Sequence, residues 1–217
     1  TSYFKDTDAI SLVWHTQELK KKKGNMSLVK VKLSSVNDIE ETSRLMIYTK
    51  DRPNVFSTIL SALDKNNLQV LDAKLHETKD KHCIDSLTIC DQSGKHINKN
   101  LLLISDLENE LTTLLDKESL TQHKISKRIP NKLKNFKNDT IIRVKHDMTN
   151  RWSQIDINTL DEPGKLMTIT NIFSKHEASI VKARISTLGE RVEDRFCIMS
   201  SQGTPFIKQS ELNKLIN

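Results

Sequence analysis

The chain has 217 residues, 34 basic against 28 acidic side chains for a net charge of +6, and 36% hydrophobic residues. That length exceeds one small domain, and two units of half the size would each bury a modest core. No apolar run nears the ~20 residues of a membrane span and no basic-then-apolar leader opens the chain, so a cytoplasmic protein without membrane contact is expected.

Tyr3 to Lys20 carries a possible helical contact through Ile10, Trp14 and Leu19, but no partner for it is evident in the rest of the chain. Lys20-Lys21-Lys22-Lys23-Gly24-Asn25 reads as a charged break, and Leu28 to Leu33 alternates as a half-buried strand at about 28–33. Residues 1–42 are taken as a segment ahead of the first folding unit. That unit, 43–147, begins with a strand at Leu45 to Thr49 and the turn Asp51-Arg52-Pro53-Asn54. Proline there suits a helix's first turn, and Val55, Phe56, Ile59, Leu60 and Leu63 form one apolar stripe. Asn66-Asn67 closes the helix. Leu71, Ala73 and Leu75 alternate as a strand, Lys79 to Lys81 turns, and Leu87 and Ile89 mark the next. A long helix comes after, with Ile104, Leu107, Leu111, Leu114 and Leu115 on one side, and Ile141, Ile142 and Val144 read as the fourth strand. The order is βαββαβ, a ferredoxin-like arrangement.

The second unit, 148–217, repeats this pattern. Asp161-Glu162-Pro163-Gly164 follows Asp51-Arg52-Pro53-Asn54 at 161 − 51 = 110, and Ala183 follows Ala73 at the same offset. Thr187, Asp194 and Phe196 match Thr78, Asp85 and Leu87 at 109, so one residue is gained or lost in between, at an expected strand end. The chain therefore holds two copies of one unit. The fold class is α+β: two such units in tandem, antiparallel sheets with helices on one face. The second copy lacks a fourth strand of its own. Either Val29 to Leu33 crosses over to complete it, or that strand is simply missing.

Lys124 to Lys137 bears six basic residues and no acid, which raises nucleic acid as a partner. Only 5% of the chain is aromatic and the expected sheet strands carry aliphatics, so no nucleic-acid role is expected; a linker or docking face suffices. No Gly-rich phosphate loop, zinc spacing or Ser/His/Asp motif appears, and no metal site, cofactor or catalytic residue is expected in this chain. Cys83, Cys90 and Cys197 are odd in number without CxxC spacing, which fits a reducing compartment.

The strand-to-helix turns are better candidates for binding. Asn54, Val55, Gly164 and Lys165 would offer backbone N–H groups at the positive end of a helix, suited to a carboxylate. Asp51 or Asp161 would receive an ammonium, or simply close an Asx-turn. Together these suit a free amino acid; ordinary helix capping is the bland alternative.

These residues resemble a known family. Asp161-Glu-Pro-Gly-Lys-Leu, Ala183-Arg184-Ile185 and Thr187 to Phe196 are similar to an ACT domain, and more narrowly to the last ACT repeat of bacterial PII uridylyltransferase/uridylyl-removing enzymes. Asp51 to Asn54 with Asp72-Ala73 resembles the preceding repeat. Tyr3-Phe4 and Trp14-His15-Thr16 resemble the segment after that family's HD domain. The resemblance implies a glutamine-sensing region whose nucleotidyltransferase and HD domains, with their magnesium, lie elsewhere. In the family, glutamine suppresses uridylylation of PII and promotes UMP removal. Asp72 and Lys182, at equivalent strand positions, become further candidates for contacts to the glutamine side-chain amide. A ligand-free pair serving for dimerisation or domain docking stays open on the leucine stripe from Leu101 to Leu120.

Overall fold

The computed structural model describes residues 2–33, 43–95, 97, 101–120, 140–147, 152–160, 164–188, 191–200 and 202–205. The chain divides into two compact units, Thr1–Thr121 and Gln122–Asn217. Unit 1 holds α1 (Ser2–Asp6), α2 (Ala9–Lys21), β1 (Leu28–Leu33), β2 (Ser43–Lys50), α3 (Val55–Lys65), β3 (Leu68–Glu77), β4 (His82–Asp91) and α4 (Leu101–Leu115). Its strands pair antiparallel in the order β1-β2-β4-β3. Unit 2 holds β5 (Ile141–Asp147), β6 (Trp152–Leu160), α5 (Lys165–Lys175), β7 (Ala178–Arg184), β8 (Thr187–Leu188) and β9 (Arg191–Ser200). Its order is β7-β9-β6-β5, with β8 beside β9. The α+β class with antiparallel sheets is as expected.

Alternation builds the core. Leu45, Leu87 and Ala73 form one cross-strand row, and Ile47, Asp85 and Leu75 the next. Val55, Phe56, Ile59, Leu60 and Leu63 of α3 are buried, as are Leu107, Leu111 and Leu115 of α4. Of the leucine stripe these three are core, each contributing ~1.5–3 kcal/mol by burial, while Leu101 and Leu102 at its start are exposed. In unit 2 the matching row is Ile155, Phe196 and Ala183, with Phe173 of α5 meeting Phe196 edge-on at 5.2 Å.

The two edge strands are not where the sequence pattern put them. β1 pairs with β2 from Leu28↔Tyr48 to Leu33↔Ser43, so it completes unit 1 and does not cross over. Ile141–Asp147 pairs with β6 and completes unit 2. In each unit the fourth strand precedes the repeat instead of following it, because consecutive strands pair more readily than distant ones. The division accordingly falls at 121/122, not at 42/43 and 147/148.

The N-terminal helices do have a partner. Tyr3 contacts His76 edge-on at 5.3 Å, Arg44 bonds Asp8 and Ser11, and Lys32 lies 5.8 Å over the Trp14 ring. Arg44, His76 and Lys32 point away from Leu45, Leu75 and Val31, so α1 and α2 cover the face of the unit 1 sheet opposite α3.

The one-residue difference also lies elsewhere. Pairing runs to Glu77↔Cys83 in unit 1 and to Leu188↔Arg191 in unit 2. Thr78, bonded to His82, is therefore the counterpart of Leu188 (188 − 78 = 110), and the difference is one residue at the hairpin tip. There Lys81 takes φ 59, a left-handed position where glycine is ordinary.

Asp85 and its counterpart Asp194 are both buried in the core rows. Burial pushes the Asp85 carboxyl up to about 7, while the Cys83 thiol and the His76 backbone N–H donate to it. A folded-state value above the unfolded one means that stability falls as pH rises from about 4 to about 7. Asp85→Asn should remove that dependence: between pH 5 and pH 8 the wild type is expected to lose roughly 2–3 kcal/mol relative to the variant in urea unfolding.

Candidate functional site

Both candidate turns rest on one backbone feature. Asn54 has φ 69 and Gly164 has φ 77, and each sits immediately before its helix as N-cap. A left-handed residue cannot lie inside a right-handed helix, so α3 starts at Val55 and α5 at Lys165. Pro53 therefore stands outside the helix, not in its first turn. Pairing of Asn with Gly at one repeat position is the sequence signal for this geometry, since these two types tolerate φ > 0 best. Neither N-cap side chain bonds into the helix. The Asn54 carbonyl accepts from Thr58 N–H at 3.0 Å and the Gly164 carbonyl from Thr168 N–H at 2.9 Å.

Beyond that shared backbone the two turns differ. In unit 1, Arg52 donates through Nη1 to the Glu118 carbonyl at 2.9 Å and through Nη2 to the Leu115 carbonyl. Asn54 Nδ2 donates to the Leu120 carbonyl at 3.1 Å. These carbonyls lie at and just beyond the C-terminus of α4, where backbone acceptors lack helical partners. The turn is thus a latch on α4, and Val55, Phe56 and Ser57 behind it are buried. The counterparts of Arg52 and Asn54 are Glu162 and Gly164 (offset 110), whose side chains have no N–H to donate. Gly164, Lys165 and Leu166 are half-buried, leaving the start of α5 more open than that of α3. The latch was missed in the sequence because Asp-x-Pro-Asn and Asp-x-Pro-Gly look like equivalent turns; the donors at the second and fourth positions were the available clue.

Asp51 borders the unit 1 turn. Its backbone N–H donates to the Lys81 carbonyl at 2.9 Å. Its carboxyl is held above the usual range by desolvation and by repulsion from Glu77, against the pull of Lys81, and it accepts from the Arg52 backbone N–H. An Asx-turn would need the N–H two residues on, and Pro53 has none. Asp161 and Pro163 lie outside the described residues.

Asp72 and Lys182 occupy equivalent places, each just after a bulge in β3 and β7. They alternate with buried Ala73 and Ala183, so within each unit they lie on the sheet face away from α3 or α5. They do not join the turns, because a period of two residues sends neighbours to opposite faces. A recess lined by Asn66, Asn67, Asp91, Gln92 and Ser93 lies at the other end of α3, remote from its N-terminal turn.

Among the described residues no group of three or more His, Cys, Asp or Glu is placed to hold a metal, and no helix is long and apolar enough to cross a membrane. Cys83, Cys90 and Cys197 are buried free thiols.

No family model matches the chain. Curated relatives do. The bifunctional uridylyltransferase/uridylyl-removing enzyme of Photobacterium profundum is 30% identical over 202 residues, covering 92% of this chain and 22% of that protein. The enzyme of the same name from Acinetobacter baumannii is 30% identical over 209 residues, covering 94% and 23%. That of Pseudomonas aeruginosa is 29% identical over 204 residues, with the same coverage of 94% and 23%. The chain thus spans less than a quarter of the length of these relatives. Among solved structures, the regulatory subunit of aspartate kinase from Thermus thermophilus gives a TM-score of 0.26 at 11% identity, covering 89% of this chain and 97% of that one. Aspartate kinase from Synechocystis gives 0.39 at 13% identity, covering 92% and 38%. Both scores are below 0.5, and the fold rests on strand pairing instead.

The latch makes a prediction. Arg52→Ala should destabilise unit 1 by about 1–2 kcal/mol in thermal or urea unfolding, since carbonyls at and beyond the end of α4 lose a charged donor. Hydrogen exchange in residues 115–120 should rise with it.

Proposed function

We propose that this chain, related over nearly its whole length to one part of the bifunctional uridylyltransferase/uridylyl-removing enzymes, is the ligand-sensing regulatory portion of such an enzyme and performs no catalysis itself. Its ligand is L-glutamine. The uridylyltransferase and uridylyl-removing centres, with their magnesium, belong to other portions of the polypeptide, and their common substrate is the PII signal protein. Glutamine biases the balance between attaching and removing UMP by binding two arrangements of the enzyme unequally. A coupling of ~1–3 kcal/mol changes that balance several-fold or more.

The observation that supports this reading is the more open, uncapped start of α5 at Gly164. A left-handed glycine lets a ligand approach the backbone, and the positive end of α5 suits a carboxylate. The amino acid's ammonium is assigned to the Asp161 side of the turn. The unit 1 turn is occupied by its latch on α4 and is given a structural role. Asp72 and Lys182, on the far sheet faces, are given none in this pocket.

Unit 1 itself supplies a mild test. Asparagine occupies the left-handed position there, so Gly164→Asn should keep the backbone while filling the space above it. Isothermal titration with glutamine is expected to lose at least tenfold in affinity, with the ligand-free melting temperature little changed. Asn54→Gly should bind glutamine as the wild type does. Undiminished affinity in Gly164→Asn would remove the site from this turn. Selective stabilisation by a different amino acid, among the twenty tried by scanning fluorimetry, would reassign the ligand.

A further inference from the structure

The helix pair α1–α2 lies on the unit 1 sheet with its polar side inward. Ser11 and His15 are buried on α2, while Ile10 and Val13 on the same helix and Phe4 on α1 are 66%, 58% and 68% exposed. The contacts that hold the pair down include polar, cationic and aromatic ones. Arg44 Nη1 reaches Asp8 Oδ2 at 3.2 Å and Ser11 Oγ at 2.5 Å. Tyr3 shares a 2.7 Å hydrogen bond with His15 Nδ1, Lys32 lies over Trp14, and Lys22 sits 5.9 Å over Tyr48. On the sheet side, Met46 is fully buried on this face, and Tyr48 and Ile84 beside it are half-buried.

The interface is also incompletely satisfied. Thr7 Oγ1 and His15 Nε2 are buried without a hydrogen-bond partner among the described residues, each a cost that solvent would relieve. An interface with orphaned polar atoms, in which no described apolar side chain of α1 or α2 is fully buried, is held far less tightly than the core rows beneath it. The segment from Lys22 to Met26 links the pair to β1 and contains Gly24 at φ 72.

We propose that α1–α2 is a detachable strap, which leaves the unit 1 sheet as one piece while that sheet stays folded. Its release exposes the sheet face that carries Lys32, Arg44, Met46, Tyr48 and His76. Protonation offers a handle on the equilibrium. His15 faces Tyr3 on α1, Asp8 on its own helix, Lys32 on β1, Arg44 on β2 and His76 on β3. Burial, reinforced by the three cationic or imidazole neighbours and opposed by Asp8, holds its imidazole down to about 4. A depressed imidazole value means that the docked state binds the proton less well than the released one. Docking is therefore unaffected above the ordinary value of about 6.5 and weakens as pH falls below it, by up to tenfold per pH unit.

Hydrogen exchange of the 217-residue chain, followed by mass spectrometry and corrected for intrinsic rates, tests this directly. Amides of α2 should exchange at least tenfold faster than those of β2 and β4 at pH 7.5. From pH 6.5 to pH 5.0 the α2 rates should rise roughly tenfold or more, while the sheet rates hold. His15→Gln should abolish that rise, whatever its effect on the rate at pH 7.5. Exchange of α2 in step with β2 and β4 at both pH values would overturn the proposal, because the helices would then be part of one cooperative core.

Discussion

A single left-handed residue between strand and helix is the constraint on which each unit depends. Asn54 and Gly164 stand immediately before α3 and α5 in that conformation and fix where each helix begins. Only then can the apolar stripe of the helix meet the core rows. Ala73 and Ala183, both at 0% exposure, complete those rows on β3 and β7. A larger residue at either place would press on neighbours already in close contact. The shared turn also explains why the two copies look more alike than they are. Their N-cap residues share one left-handed conformation, but one turn is fastened to α4 by Arg52 and Asn54, and the counterparts of those residues in the other carry no such donors.

The same sheet face has opposite character in the two units. In unit 1 it offers Met46, Tyr48, Ile84 and Ser86; the counterparts in unit 2 are Asp156, Asn158, Glu193 and Arg195. The unit 2 residues satisfy one another. Arg195 Nε donates to Asp156 at 2.7 Å, Arg191 Nη2 donates to Asn158 Oδ1 at 2.6 Å, and Asn158 donates to Glu193 at 3.0 Å. Such a network is stable in water and gives a helix nothing to bury against. A row with Met46 and Tyr48 can be covered, and α1–α2 covers it. Differences on this face, these four positions among them, accompany one covered sheet in unit 1 and a self-paired polar network in unit 2, among the described residues.

The buried acids belong to the same logic of repetition. Asp85 and Asp194 sit at one position of the central strand, each in a row otherwise made of aliphatic side chains. Nothing in hydrophobic packing asks for a carboxyl there. Burial keeps Asp85 largely protonated below neutrality; the His76 backbone N–H donates to it, and the thiol of Cys83 supplies a donor that an aliphatic side chain would lack. The residue ties the stability of unit 1 to pH without touching the surface.

Much of this was legible in the residues themselves. The 110-residue offset, the alternation of Ala73 and Leu75, and the stripe from Val55 to Leu63 determined the repeat, the antiparallel α+β class and most of the core, because period and burial are local properties of the chain. Leu71 was misplaced, since a bulge in β3 puts Val70 in the core instead. Edge strands were not determined in this way. Leu28 to Leu33 and Ile141 to Val144 alternate equally well whichever sheet they join, and only the paired register assigns β1 to β2 and β5 to β6. The roles of the two turns were likewise decided in three dimensions. Arg52 and Asn54 reach carbonyls more than sixty residues away, at 66 positions for Glu118 and Leu120, and no local pattern announces such a contact. Periodicity says which face of an element is buried; what buries it is settled by the partners that long-range folding brings there.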